Sequence, residues 1–344
     1  MRIRFAHLCS ILALLTCASG AWAQSSHSQP VETSGISPAL LTKAKAGDAK
    51  SQSELGFDYE YGLGVPQNYA KAVDWYRQAA VQGDSAAQYN LGRMYFLGWG
   101  VSRDPAMSAK WYRMAAVQGN TLAQVELANL YAIGSPGVPR NYAEAAKWYQ
   151  KSAESGDPSA QDMLGSLYAH GEGVPQDYAQ AALWYRKAAG NGDADAQFKL
   201  GFAYDNGQGV PQDYQQAAEW YRKAAEQGDA KAQYGLGNLY DLGEGVPQDH
   251  AQAATWWRKA AEQNYPLAQQ GLGVLYAEGR GVPQDYAEAY FWFDLAAAGK
   301  MDGLDTQFTV QDRDRAATHL TPADLSRVQE RARRWFEEHP AKAQ

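Results

Sequence analysis

Along most of this chain, hydrophobic and polar positions follow a pattern that recurs every 36 residues. Copies start at Ala49, Ser85, Thr121, Pro158, Ala194, Ala230 and Pro266, and one is a residue longer because of Ser135-Pro136-Gly137 in its loop. Each copy shows helical apolar spacing twice, in two segments separated by a glycine-rich turn. The first segment carries a leucine (Leu55, Leu91, Leu127, Leu164, Leu200, Leu236, Leu272) and a tyrosine four residues later (Tyr95 after Leu91, for instance), so both lie on one helix face. The second carries aromatic pairs such as Trp111-Tyr112 and Trp220-Tyr221, then alanine pairs such as Ala224-Ala225 one turn on. Rings facing alanines allow two helices to pack closely.

Gly92, Gly165, Gly201, Gly237 and Gly273 follow the leucine. A glycine inside a helix costs about 1 kcal/mol, and the expected compensation is close approach of a neighbouring backbone. First helices are expected to stop at glycines such as Gly171 and Gly243. Asp177, Asp213, Asp249 and Asp285 are positioned to cap the second helices. Asn141 with Glu144, and Asp285 with Glu288, have capping-box spacing. Second helices end at Gly83, Gly119, Gly156, Gly192 and Gly228, and the next residue, usually Asp, caps the following copy. The invariant Gln of each copy, Gln88 for example, is expected to bond adjacent loop backbone.

One such hairpin cannot bury its apolar face alone, whereas seven stacked hairpins can. The expected fold is all-α, a solenoid over 49–301. Residues 37–48 read as an N-terminal capping helix, with Ser37 as N-cap. Residues 302–344 read as a C-terminal helical cap with helices over 311–319 and from Thr321 toward Glu338. Leu325, Val328, Ala332 and Phe336 are its expected buried stripe, with Arg327, Arg331, Arg333 and Arg334 outside.

The pattern, nearly complete in residues 194–229 (ADAQFKLGFAYDNGQGVPQDYQQAAEWYRKAAEQGD), resembles the Sel1-like repeat, a relative of the tetratricopeptide repeat. The resemblance covers about 253 residues. It implies a right-handed superhelix of antiparallel helix pairs that works as an adaptor or scaffold through protein contacts. Secreted bacterial members are common in that family, so it also implies a bacterial source.

The start of the chain changes the expected compartment. Arg2 and Arg4, an apolar stretch over 8–15 and Ala21-Trp22-Ala23 form the pattern of a secretory signal cleaved near Ala23. A lipoprotein signal ending at Cys17 is the alternative. Residues 24–36 read as a flexible leader. Cleavage near Ala23 would remove both cysteines, Cys9 and Cys17, leaving no disulfide or thiol chemistry, and would take the net charge from -7 to -9. An acidic chain of this kind argues against general nucleic-acid binding, and no segment is long enough to span a bilayer. The expected location is periplasmic or secreted, and capped ends point to a monomer.

Candidate binding residues come from positions where the copies disagree. With Leu91 at zero and about 100° per residue, positions 89, 93 and 96 fall opposite the leucine, on the face away from the partner helix. That face lines the concave side of a solenoid. The candidates are Phe57 in the first copy; Tyr89, Arg93 and Phe96 in the second; Asn129, beside Val125, in the third; Phe198, Phe202 and Asp205 in the fifth; and Tyr234, Asn238 and Asp241 in the sixth. Exposed aromatics among polar groups are typical of binding hot spots. The bland alternative is that the rings pack against neighbouring first helices.

No catalytic, cofactor or metal residue is assigned. The G-x-G turns follow a helix and precede Val-Pro, so they lack the strand-to-helix context of a phosphate loop. No histidine pair has metal-ligand spacing, and His250 reads as a replacement for the tyrosine at 178, 214 and 286. The reading is a non-enzymatic scaffold of the bacterial envelope that binds a peptide or protein segment. Two alternatives accompany it. One is a secreted host-interaction factor. The other is a cell-wall or β-lactam hydrolase related to cysteine-rich members of the family, whose per-repeat cysteine pair the expected mature chain lacks.

Overall fold

A computed structural model describes residues 35–299 and 306–339. The expected export signal with its cysteines, the leader up to residue 34 and the start of the C-terminal cap lie outside them. Among the described residues all regular elements are helices, with one isolated bridge between Ser135 and Val138 in the longer loop. None is long and apolar enough to cross a membrane.

The chain divides into two units after Gln176. The first holds α1 (Pro38–Lys45), α2 (Ala49–Tyr61), α3 (Tyr69–Val81), α4 (Ser85–Leu97), α5 (Pro105–Val117), α6 (Thr121–Ile133), α7 (Tyr142–Glu154) and α8 (Pro158–His170). The second holds α9 (Tyr178–Gly190), α10 (Ala194–Asn206), α11 (Tyr214–Glu226), α12 (Ala230–Leu242), α13 (His250–Ala261), α14 (Pro266–Glu278), α15 (Tyr286–Ala298), α16 (Thr306–Ala317) and α17 (Pro322–Glu338). Within each unit consecutive helices of the repeats pack against one another, as a helical-repeat solenoid requires, while α16 and α17 both pack on α15.

Side chains at the helix starts explain this regularity. Asp84 accepts the Ala87 amide at 2.7 Å and Asp213 accepts that of Gln216 at 3.0 Å. Asn141 and Asp285 cap in the same way, but the reciprocal half of the box is not made: Glu144 turns to Lys147 and Glu288 to Arg331. Ser37 holds the N-cap position without a side-chain bond. So does Tyr265, which follows Asn264, the one described non-glycine residue with positive φ, at 61°. Asn264 stands where the preceding copy has Gly228.

Leu55, Leu91, Leu127, Leu200, Leu236 and Leu272 are fully buried, each such side chain contributing roughly 1.5–3 kcal/mol. The glycine beside the leucine serves a different purpose from the expected one. A ring of the second helix lies on it, and no neighbouring backbone does. A Cβ would fall 2.6 Å from the Tyr76 ring at Gly56, 2.6 Å from Tyr112 at Gly92 and 2.7 Å from Tyr221 at Gly201. Close backbone approach occurs instead at the turn glycines. At Gly209 a Cβ would meet the Tyr178 carbonyl at 2.0 Å, and at Gly245 that of Tyr214 at 2.3 Å. Each turn is thereby seated on the start of the preceding copy's second helix.

The glutamine column reaches back to a helix end, slightly short of the loop expected for it. Gln88 Nε2 donates to the Ala80 carbonyl at 3.0 Å, and Gln52, Gln124, Gln161, Gln197, Gln233 and Gln269 repeat the bond at 3.0–3.2 Å. These are carbonyls of a last helical turn, which lack an intrahelical donor. Gln118 Nε2 in turn donates to Gln88 Oε1 at 2.7 Å. Arginines of second helices staple the next copy, as where Arg186 and Arg222 donate to the hydroxyls of Tyr204 and Tyr240 at 2.8 and 3.0 Å.

At the C-terminus α16 begins five residues before the expected position. In α17, Val328 and Ala332 are buried as expected, but Phe336 is 41% exposed. Trp335 takes the inward place. It packs edge-on against Phe291 and Trp292, both at 5.8 Å, and its indole N–H donates to Asn264 at 3.1 Å. Arg331 is exposed as expected, and from that face it pairs with Glu288 and lies 3.8 Å over the Phe291 ring.

Candidate functional site

The candidate residues lie on first helices in both units, and each unit has its own constellation. In the unit up to Gln176, Phe57 is 43% exposed, with its ring 4.5 Å from that of Tyr61. One copy on, Arg93 reaches back to the Glu60 carboxylate and to the Tyr61 hydroxyl at 3.2 Å. Glu60 is buried and accepts a 2.7 Å bond from the Tyr76 hydroxyl. A buried carboxylate is thus balanced by a guanidinium and a phenol. Burial, then the Glu60 charge, pushes the Tyr76 phenol far above its usual range. Burial disfavours charge on Arg93, yet Glu60 and Tyr61 outweigh it and hold the guanidinium protonated.

Tyr89 is half-buried, its ring 5.7 Å from Tyr112, and its phenol is pushed up to about 12, chiefly by burial and then by the Glu126 charge. Burial also raises the Glu126 carboxyl, against the opposing effects of its Asn129 bond and the Arg93 charge. Asn129 donates to Glu126 at 3.4 Å and accepts from the Tyr149 hydroxyl. Phe96 is half-buried under the Arg103 guanidinium at 5.8 Å.

In the unit from Asp177, Phe198 lies 5.8 Å from the Tyr221 ring and 6.3 Å from Phe202, which is 43% exposed. The Tyr221 hydroxyl donates to Asp205 at 3.1 Å. Burial raises the Asp205 carboxyl, and that bond opposes it. Tyr234 sits 6.3 Å from Trp257 and 5.3 Å from Tyr265. The Trp257 indole N–H donates to Asn238 Oδ1 at 3.1 Å and to the Tyr234 carbonyl at 3.2 Å. Asp241 contacts His250 Nδ1 at 2.8 Å and Arg280 at 3.7 Å. Tyr234, Asn238 and Asp241 line an open cavity of about 340 Å³ together with residues of α14.

These side chains are therefore not turned fully away from the partner helix. Tyr89, Phe198 and Tyr234 lie beside Tyr112, Tyr221 and Trp257, which belong to the second helix of their own copy. The reason is reach: those long rings extend past the glycine beside the leucine to the far flank of the first helix. What is left to solvent is the outer side of the columns, most openly Phe57 and Phe202.

Several participants escaped the sequence reading. Glu60 shares its column with Phe96, Asp205 and Asp241, so extending that column one copy back would have found it. Trp257 breaks the Trp-Tyr pattern, a departure visible in Trp256-Trp257. The pairing of Asp241 with His250 and Arg280 joins different elements and left no local signal. Among the described residues no group of three metal-ligating side chains comes together.

A family profile described as the Sel1 repeat matches residues 49–84, 85–120, 121–157, 158–193, 194–229, 230–265, 266–300 and 315–338. The first seven coincide with the copies read from the sequence, and the eighth falls on the C-terminal helices. A Sel1 repeat protein from Oxalobacter formigenes is 36% identical, with a TM-score of 0.63, over 79% of this chain and 78% of that one. A protective antigen present in uropathogenic Escherichia coli strains, displaying an SLR fold, is 30% identical with a TM-score of 0.50 over 89% of both chains. None of the curated proteins matches.

Proposed function

Because this chain belongs to the Sel1 repeat family, we propose that it is a non-catalytic scaffold of the bacterial envelope that holds a peptide or protein segment on its first-helix faces. The family is generally one of interaction scaffolds, whose repeats mediate protein contacts. The supporting observation is the contrast between columns. Where packing dictates the residue the copies agree, as at the buried Leu and Gln positions. Where they disagree, the candidate rings and polar groups stay partly open, although Glu60 and Asp162 in the same columns are buried, and three of the candidates border a cavity. Such mixed aromatic and polar surfaces suit partner recognition. The scaffold works as an exported monomer, without cofactor.

Alanine at Phe96 and Phe202 tests this reading. Capture of the partner in the source cells should fall by about tenfold or more if these are hot spots, with the helical content of the purified variants unchanged. Undiminished capture by the folded double variant would contradict it.

A host-facing role is the second reading. It draws on the 30% identity to the protective antigen across 89% of both chains. Accumulation in culture medium would favour it, and retention in periplasmic extract would count against it.

A further inference from the structure

We propose that the groove between α12 and α14 receives a basic side chain, arginine or lysine, from the bound segment; this rests on the peptide-binding reading above and specifies its chemistry at one place. Tyr234, Asn238 and Asp241 form one wall, spaced along two turns of α12, while Leu267, Gln270 and Val274 form the other, similarly spaced on α14. Trp257 closes the floor. It fits there because a glycine lies on each side: a Cβ would come within 2.3 Å of the ring at Gly237 and 2.8 Å at Gly271. The corresponding position of the second copy, Asn90, has a side chain where Gly271 leaves space.

The two ends of this groove differ. Tyr234 and Leu267 make the end near the helix starts apolar and aromatic. Asp241 lies at the other end, where α12 stops at Leu242 and α14 at Glu278. Two helix C-termini there carry partial negative charge. Asp241 and Arg280 both line that end, and Glu278, outside the lining, supplies a second carboxylate against the one guanidinium. Arg280 is engaged more closely by Glu278, at 2.6 Å, than by Asp241, at 3.7 Å. His250 faces Asp241 from α13. An aromatic, apolar channel ending at a carboxylate matches an apolar stem with a cationic head. The ammonium or guanidinium would bond Asp241, and the stem would lie along Trp257 and Val274.

The test titrates the full chain with acetyl-Gly-Xaa-Gly-amide at fixed ionic strength, where Xaa is arginine, its neutral isostere citrulline, or glutamate. The readout is the Trp257 indole N–H resonance, identified by its loss in Trp257→Phe. Arginine should bind about tenfold or more tightly than either alternative. Asp241→Asn should erase that preference. Val274→Phe, which fills the groove without touching the charges, should abolish the shift with the circular dichroism unchanged. Equal binding of citrulline or glutamate, or a preference that survives Asp241→Asn, would overturn the basic specificity and leave peptide binding standing. No shift with any peptide would remove this groove as a peptide site; partner capture by the Phe96 and Phe202 variants reads the remaining first-helix face separately.

Discussion

The Tyr76 ring lies directly on Gly56, so close that a Cβ there would sit 2.6 Å from the ring. Gly56→Ala therefore opposes two effects. Alanine favours the helix by about 1 kcal/mol, while overpacking a fully buried ring costs about 1–3 kcal/mol. The contact should win, and urea unfolding should show a net loss. Gly190→Ala is the matched control, since nothing lies within 4 Å of its Cβ position at the end of α9. It should stabilise by about 0.5–1 kcal/mol.

Turn glycines should be less forgiving. Gly209 has φ 72°, and a Cβ would meet the Tyr178 carbonyl at 2.0 Å. Strain and a backbone collision add together here, so Gly209→Ala should cost about 3 kcal/mol or more. Hydrogen exchange should locate the loss at the turn and at the start of α9. Unchanged protection of the Tyr178 region would refute the seating of turn on helix.

Gln124 offers a gain of stability. Its Oε1 is buried without a partner, whereas the equivalent Gln88 oxygen accepts from Gln118. Ser155 holds the place of Gln118 in this copy. Ser155→Gln should restore the bond and stabilise by about 1 kcal/mol. A melting temperature at or below that of the parent would show that the orphaned oxygen is not what matters.

Glu126 makes stability depend on pH. Its carboxyl is raised in the folded protein, first by burial, so the folded state binds more protons than the unfolded one and stability falls as pH rises. The penalty is absent below the ordinary value of 4.5 and complete above the raised one. Glu126→Gln should accordingly be more stable than the parent near pH 7, with the difference vanishing below about pH 4. Denaturant midpoints across that range check the sign.

Trp335 and Phe336 separate the two ways of facing the C-terminal helix. Trp335→Ala should cost about 3 kcal/mol, because it strips the ring from Phe291 and Trp292 and the donor from Asn264. Phe336→Ala should stay within about 0.5 kcal/mol. Thermal unfolding of the pair decides it.

The array was legible because its buried columns impose the same residue in each copy. Leu91 and Gln88 reappear at every equivalent position, and a short cap such as Asp84 marks every boundary except the last, where Tyr265 stands. Adjacent apolar residues carried no such signal. Trp335 and Phe336 both extend the α17 stripe, and only the partner rings of α15 choose between them. The role of the internal glycine was misread for a similar reason: a glycine in mid-helix, unlike Gly190 at the end of α9, points to a close neighbour without saying whether it is ring or backbone. In the candidate site, column disagreement found Tyr234, Asn238 and Asp241. It did not find His250 or Arg280, whose contact with Asp241 exists only after the helices stack.

Photo-crosslinking inside the source cells tests the central claim most directly. A photoreactive residue replaces Phe202, with Glu219, exposed on α11, as the control position. The scaffold account predicts one discrete protein adduct from position 202 and none from 219. Equal labelling from both positions, or none from 202 in folded and exported protein, would contradict it.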